Sequence, residues 1–233
     1  MGTSAALEIE AARAAVSSRI DAAARRVGRD PSAVTLVAVT KTVEPERIRA
    51  AIAAGLTTLG ENRVQEAADK RPLVPGARWH LIGPLQSNKA RRALETFEVI
   101  ESVGSLDLAQ RLARVAAGVR PGGDTPILLQ VNVDADPGKA GFAAADLERD
   151  LPEILGLTGL RVDGLMTIGR LFREPEAARP TFAALRILAA RLRAANPTLG
   201  PELSMGMTDD FEVAVEEGAT IVRVGRAIFG ARA

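Results

Sequence analysis

Short runs of β-branched and apolar residues alternate along this chain with segments of helical periodicity, and eight such runs can be counted. They are Val34–Thr40, Thr57–Gly60, Trp79–Ile82, Val99–Ser102, Ile127–Val133, Val162–Thr167, Leu203–Met205 and Ile221–Val224. Strand-length runs separated by turns and mostly by helices read as repeated βα units and a parallel sheet. Eight of them in 233 residues predict an α/β fold, a single (β/α)8 TIM-type barrel over residues 1–233 whose closed sheet leaves no edge strand. A doubly wound open sheet is the alternative. Ahead of the first strand, Leu7 to Val27 carries Ile9, Val16 and Ile20 at helical intervals and is stopped by Gly28 and Pro31, which predicts an extra N-terminal helix. Pro45 and Gly55 bracket a second helix over Glu46–Ala54.

Composition removes several function classes. Thirty Lys and Arg against 29 Asp and Glu leave a net charge of +1, so no nucleic acid or anionic membrane partner is expected. The chain has no cysteine, which excludes disulfides, thiolate metal sites and a thiol nucleophile and points to the cytoplasm. One histidine, His80, cannot furnish a multi-histidine metal site, and a Ser-His-Asp triad is not expected; tyrosine is absent altogether. The first residues, Met1 to Glu8, lack the basic-then-apolar order of a signal peptide, and no run is long enough to span a bilayer.

In a (β/α)8 barrel, ligand groups stand at the C-terminal ends of the strands. Lys41 follows the first strand directly. A lysine attacks an aldehyde only as the neutral amine, so its ordinary pKa of about 10.4 has to be lowered by burial or neighbouring cations. Taken alone, such a lysine is more often a solvated surface group. Leu203 to Asp210 runs from a strand through a small-residue turn into a helix, where Gly206 lets backbone approach a ligand and Ser204 can donate to phosphate. The competing reading makes Thr208 or Asp209 a helix cap. Arg223 lies inside the last apolar strand and Gly225 ends it; the competing reading for Arg223 is a structural salt bridge. Asn62 ends the second strand and could donate to a ligand or cap the next helix. His80 reads as a satisfied interior histidine, and Ser87 as the cap of a helix with Lys89 in its first turn.

Six motifs in order, Ala38-Val39-Thr40-Lys41, Gly60-Glu61-Asn62, Trp79-His80-Leu81-Ile82-Gly83, Gln86-Ser87-Asn88-Lys89, Ser204-Met205-Gly206-Met207 and Arg223-Val224-Gly225, resemble the YggS/PROSC family of vitamin B6 homeostasis proteins. The resemblance implies a barrel like the N-terminal domain of alanine racemases and pyridoxal 5'-phosphate (PLP) as cofactor, held as a Schiff base on Lys41. It further implies that Ser204, Gly206, Gly225 and the Arg226 backbone surround the phosphate and that Arg223 faces the pyridine nitrogen. Asn62 is then expected near the ring and Met205 beneath or beside it. Two positions depart from the family pattern. Arg226 replaces a small hydroxyl residue, and Asp136-Pro137-Gly138 changes the loop before Lys139, whose role in transfer or in solvating that loop is left open.

An arginine opposite the ring nitrogen keeps the pyridine neutral and weakens it as an electron sink. A racemase resembling alanine racemase also draws on a tyrosine and a second domain, and this sequence supplies neither. The expectation is therefore a non-enzymatic carrier or buffer in intracellular PLP homeostasis, and the family resemblance further implies a monomer with apo PLP-dependent enzymes as partners. The rival readings are a lysine Schiff-base barrel enzyme of the aldolase kind, a weak PLP-dependent racemase and a barrel acting only through protein contacts.

Overall fold

A strand in a closed parallel barrel is covered on both faces, by helices outside and by its neighbours' side chains within, so its sequence stays apolar without strict alternation. The strands found are β1 (Thr35–Val39), β2 (Thr58–Glu61), β3 (Arg78–Leu81), β4 (Val99–Val103), β5 (Thr125–Gln130), β6 (Leu160–Met166), β7 (Glu202–Ser204) and β8 (Ile221–Val224). Each pairs in parallel with its successor, and β1 closes on β8 in the register Thr35↔Ile221 to Ala38↔Val224. The structure, a computed structural model, describes residues 2–170 and 172–230, with the side chains of residues 2–5 outside that description. The domain expected over 1–233 thus extends beyond the described residues at both ends.

The helices are α1 (Gly2–Arg26), α2 (Pro45–Ala53), α3 (Val64–Lys70), α4 (Ala90–Thr96), α5 (Leu106–Val119), α6 (Ala144–Leu155), α7 (Arg179–Ala195), α8 (Phe211–Glu216) and α9 (Arg226–Phe229). The expected N-terminal helix is α1. Its stripe of Ile9, Val16, Ile20, Ala23 and Ala24 is buried, and it packs against α2, α8 and α9. Arg19 adds a bidentate pair to Glu212 at 3.0 and 2.8 Å, and Arg26 bonds Glu216 at 2.7 Å. Thus α1 braces the short helices behind β7 and β8.

The period of two in each strand separates two cores. Ala38, Leu59, Leu81, Leu129, Leu165, Leu203 and Val222 face the helices and join the main core. Val37, Leu128, Met166 and Ile221 form a separate small cluster, which marks the inner face of β1, β5, β6 and β8. Among the described residues no helix is long and apolar enough to cross a membrane.

Several local expectations are corrected. The fifth strand ends at Gln130 instead of Val133, because Asn132 turns the chain: its N–H bonds Phe142 O at 2.9 Å and its amide nitrogen bonds Asp136 O at 2.8 Å. Ser87 caps nothing; it opens a 3-10 turn, Ser87–Lys89, and α4 starts only at Ala90. Neither Thr208 nor Asp209 caps α8, since Asp210 holds that position and its carboxylate turns back to the Met207 N–H at 2.6 Å. Arg223 has its ionic neighbour, Glu101, but only at 3.9 Å.

Candidate functional site

Counting in twos from Val37 on the inner face of β1 puts Val39 and Lys41 on that same side, at the mouth. The chain then turns at once. Val43 N–H closes on Thr40 O at 2.9 Å, and Thr42 takes φ 62°, a left-handed conformation costly for a β-branched residue. Three charged side chains hold that turn from behind. Glu66 accepts the Thr42 N–H at 2.6 Å, while Lys70 Nζ donates to Glu66 at 2.6 Å, to Glu61 at 2.8 Å and to the Thr40 carbonyl at 2.7 Å. An ammonium has three hydrogens, and here each has an acceptor. The hydroxyl of Thr40 donates to the same Glu61 oxygen at 2.8 Å. Burial pushes the Glu61 pKa up, against the pull of Lys70, whereas in Glu66 burial is outweighed by Lys70 and the Thr42 N–H and the pKa falls.

Across the closing seam, Arg223 of β8 lies opposite Val37 of β1 and is almost wholly buried. Its Nη1 donates to Ser204 Oγ at 2.5 Å and its Nη2 to the Thr167 carbonyl at 2.8 Å. Burial lowers its pKa while Glu101 and Asp210 oppose the shift, and a guanidinium stays charged at neutral pH in any case. The Ser204 hydroxyl donates to Glu101 Oε2 at 2.5 Å, and Glu101 Oε1 lies 2.6 Å from His80 Nδ1. Burial alone would raise the Glu101 pKa, but His80, Arg223 and Ser204 together depress it, so Glu101 is the acceptor and His80 Nδ1 carries the hydrogen. His80 is therefore satisfied on one side only: its Nε2 is buried without a hydrogen-bond partner among the described residues.

The mouth between these two groups is lined with bare backbone. Gly206 has φ 92°, and a Cβ there would sit 2.5 Å from Ala214 Cβ; one on Gly225 would come 3.2 Å from Val39 Cβ. Asn62 is half-buried and does not cap α3, where Arg63 takes the cap position; its backbone is so close to Gly83 that a Cβ on Gly83 would meet Asn62 O at 2.4 Å. Met205 is fully buried and its side chain belongs to the main core. Arg226, in the first turn of α9, pairs its guanidinium with Asp209 at 2.5 Å on the surface. Lys139 Nζ donates to Ile168 O at 3.1 Å and lies 3.8 Å from Asp134, joining the loop after β5 to the loop after β6.

The structure thus brings Lys41, Asn62, Ser204, Gly206, Arg223, Gly225 and Arg226 to one end of one barrel. A primary amine, a buried fixed cation and glycine-lined turns suit a ligand with an aldehyde, an aromatic nitrogen and a phosphate. Among the described residues no group of three or more His, Asp and Glu could hold a metal ion. Sequence reasoning missed Glu101, the Thr167 carbonyl and the Glu61-Lys70-Glu66 set. A carboxylate in the apolar run Val99-Ile100-Glu101 carried the same signal as Arg223, and Glu66 and Lys70 stand at helical i, i+4 spacing.

Residues 12–233 match the alanine racemase N-terminal domain family. A pyridoxal phosphate homeostasis protein of Pseudomonas aeruginosa is 44% identical over 223 residues, covering 94% of both chains. The chain belongs to the pyridoxal phosphate homeostasis protein family. Within this family, the structure of PipY of Synechococcus elongatus with PLP bound superposes with a TM-score of 0.80 at 42% identity, over 92% of this chain and 100% of that one. An alanine racemase of Clostridium difficile shares the fold alone, with a TM-score of 0.73 at 13% identity over 93% of this chain and 59% of that one. The family expectation and the barrel expectation are both borne out.

Proposed function

We propose that this chain binds PLP as a Schiff base on Lys41 and holds it reversibly, as a carrier or buffer in intracellular PLP homeostasis rather than as an enzyme. The observation that carries the reading is the register of β1 on β8, which sets buried Arg223 beside Val37, two residues before Val39, which ends β1 just before the turn that carries Lys41. Arg223 lies beside Val37, Gly225 follows it two residues up beside Val39, and Lys41 comes in the turn just beyond β1. The aldehyde and the ring nitrogen stand at opposite ends of the pyridine ring. An amine above and a guanidinium below suit that spacing, and the bare backbone of Gly206, Gly225 and Arg226 is left for the phosphate arm.

Bound PLP supplies a reactive aldehyde and, when its ring is protonated, an electron sink. The residues of this chain favour the first and suppress the second. Arg223 is donor-only and cannot protonate the ring nitrogen, so the ring stays neutral. The Thr40–Thr42 turn aims Lys41, and the chain has no tyrosine to serve as the second base of a racemase of the alanine racemase kind. Asn62 and the Met205 backbone complete the wall around the ring.

The test is an absorbance spectrum with added PLP, before and after borohydride, followed by peptide mapping and by the same experiment on Lys41→Ala. A visible band fixed by reduction onto Lys41 supports the reading. No band, or an adduct spread over surface lysines and unchanged in Lys41→Ala, overturns it and favours an aldolase-like enzyme or a binding module.

A further inference from the structure

The interior of a (β/α)8 barrel is ordinarily filled by layers of bulky branched side chains. Here the apolar cluster of Val37, Leu128, Met166 and Ile221 shares the interior with buried polar side chains: His80 of β3, Glu101 of β4, Ser204 of β7 and Arg223 of β8. They form one unbroken chain, His80 to Glu101 at 2.6 Å, Glu101 to Ser204 at 2.5 Å and Ser204 to Arg223 at 2.5 Å, ending on the Thr167 carbonyl at 2.8 Å. Glu101 has no exposed surface, and a buried carboxylate is costly unless paired and hydrogen-bonded. The fold therefore tolerates it only because each of its oxygens is engaged.

The direction of the bonds gives Glu101 control of Arg223. A serine has one hydrogen to donate, and Ser204 gives it to Glu101, which turns a lone pair toward Arg223 Nη1. The guanidinium is then held by two acceptors, one at the end of β7 and one just past the end of β6, so its plane is fixed. Two carboxylates offset its charge, Glu101 from β4 and Asp210 from the turn before α8; Glu101, 3.9 Å from Nη1, is the one linked through Ser204. The same bond occupies the Ser204 hydroxyl that a phosphate contact would need.

We propose that Glu101 is a positioning residue for the cofactor: held by His80 and acting through Ser204, it fixes the plane of Arg223 and balances its charge beneath the pyridine ring. This rests on the PLP reading above. The effect of Glu101 on bound PLP is electrostatic, because removing one buried negative charge leaves Arg223 less compensated and disfavours the cationic form of the nearby Schiff base.

The experiment compares wild type, Glu101→Gln, Glu101→Asp and His80→Leu, each loaded with PLP, by titrating the visible band with pH and by far-UV circular dichroism. Glu101→Gln is expected to lower the midpoint at which the band is lost by about one pH unit, a roughly tenfold change in the acid constant. Glu101→Asp restores most of the wild-type midpoint. His80→Leu, which removes the donor on Glu101 Oε1 and so loosens the carboxylate that holds Ser204 and Arg223, shifts the midpoint by less and decides the matter if Glu101→Gln does not fold. A folded Glu101→Gln with the wild-type midpoint overturns the inference, as does an unmoved midpoint in His80→Leu. Absence of any band in wild type instead overturns the PLP reading itself.

Discussion

Lys70 Nζ donates a 2.7 Å hydrogen bond to the main-chain carbonyl of Thr40, the residue immediately before Lys41. A side chain at the end of α3 thereby holds the backbone from which the proposed Schiff-base lysine projects. The same ammonium neutralises Glu61, which has no exposed surface and sits 2.8 Å away. Removing one partner of a buried pair costs about 3 to 5 kcal/mol, because the other charge is left without compensation. Lys70→Met is therefore expected to destabilise the fold by about 3 kcal/mol, seen as a lower midpoint in urea denaturation. Adding Glu61→Leu to Lys70→Met should recover most of that loss. Failure of the second change to recover stability would mean that Lys70 acts through Thr40 and Glu66 alone.

The turn after β7 yields a steric prediction. Gly206 combines φ 92° with a virtual Cβ contact of 2.5 Å to Ala214 Cβ and 3.0 Å to Phe211 Cα. Neither neighbour is the end of a flexible side chain, so α8 has to move. Gly206→Ala should cost at least about 2 kcal/mol from overpacking and backbone strain together, read as a fall in the thermal midpoint. An unchanged midpoint would show that α8 shifts freely, contrary to its bracing by α1.

Much of this was legible in the sequence because the barrel repeats a simple unit. Each apolar run such as Ile221–Val224 is bounded by turns, and the end of a strand tells where a candidate residue stands, so Lys41, Ser204 and Gly225 could be assigned to the barrel mouth from the sequence. Partners across the barrel could not. Glu101 and Ser204 are 103 residues apart and meet only because strands 4 and 7 both point side chains at the axis. Likewise, Asn132 alone does not announce that its amide will end β5 early, since that depends on where Asp136 and Phe142 return. Local periodicity fixes elements and their order, whereas closure of the sheet decides which inward groups become neighbours.

The pH dependence of stability should have an acid limb set partly by Arg179. This guanidinium bonds Glu216 at 2.6 Å and Glu217 at 2.9 Å and also reaches Glu176. The Glu216 carboxyl is held below its ordinary 4.5 first by Arg179; in Glu217 burial raises the pKa but Arg179 and Arg186 outweigh it. With the folded pKa depressed, the unfolded chain binds more protons in the window between the two values, so stability rises with pH there. The contribution is complete above about 4.5 and is lost as the pH falls through the lower folded values. Glu61, whose pKa is raised by burial, works in the opposite sense and loses stability as the pH climbs above its ordinary value. Arg179→Ala should flatten the acid limb in urea midpoints measured from pH 6 to pH 3; an unaltered slope would assign that limb to Glu101 and the other buried pairs.

Arg226 tests whether side chain or backbone would hold the phosphate in the proposed PLP site. Its ion pair with Asp209 is short, 2.5 Å, but both side chains are more than half exposed, at 58% and 59%. Pairs of that kind contribute about 0 to 1 kcal/mol and are screened by salt. Arg226→Thr is therefore expected to leave the thermal midpoint nearly unchanged. Its effect on PLP separates the two ways of binding an anion here. If the N–H groups at the start of α9 and the bare backbone of Gly225 hold the phosphate, the dissociation constant from equilibrium dialysis stays within about threefold of wild type, the scale of a surface pair. It then changes in parallel with wild type as salt is raised. If the guanidinium leaves Asp209 to grip the phosphate, Arg226→Thr weakens binding about tenfold or more at low salt, as loss of a charge-assisted bond should. The difference from wild type then shrinks as salt screens the remaining charge. The present geometry, with the Arg226 guanidinium committed to Asp209, predicts the first result.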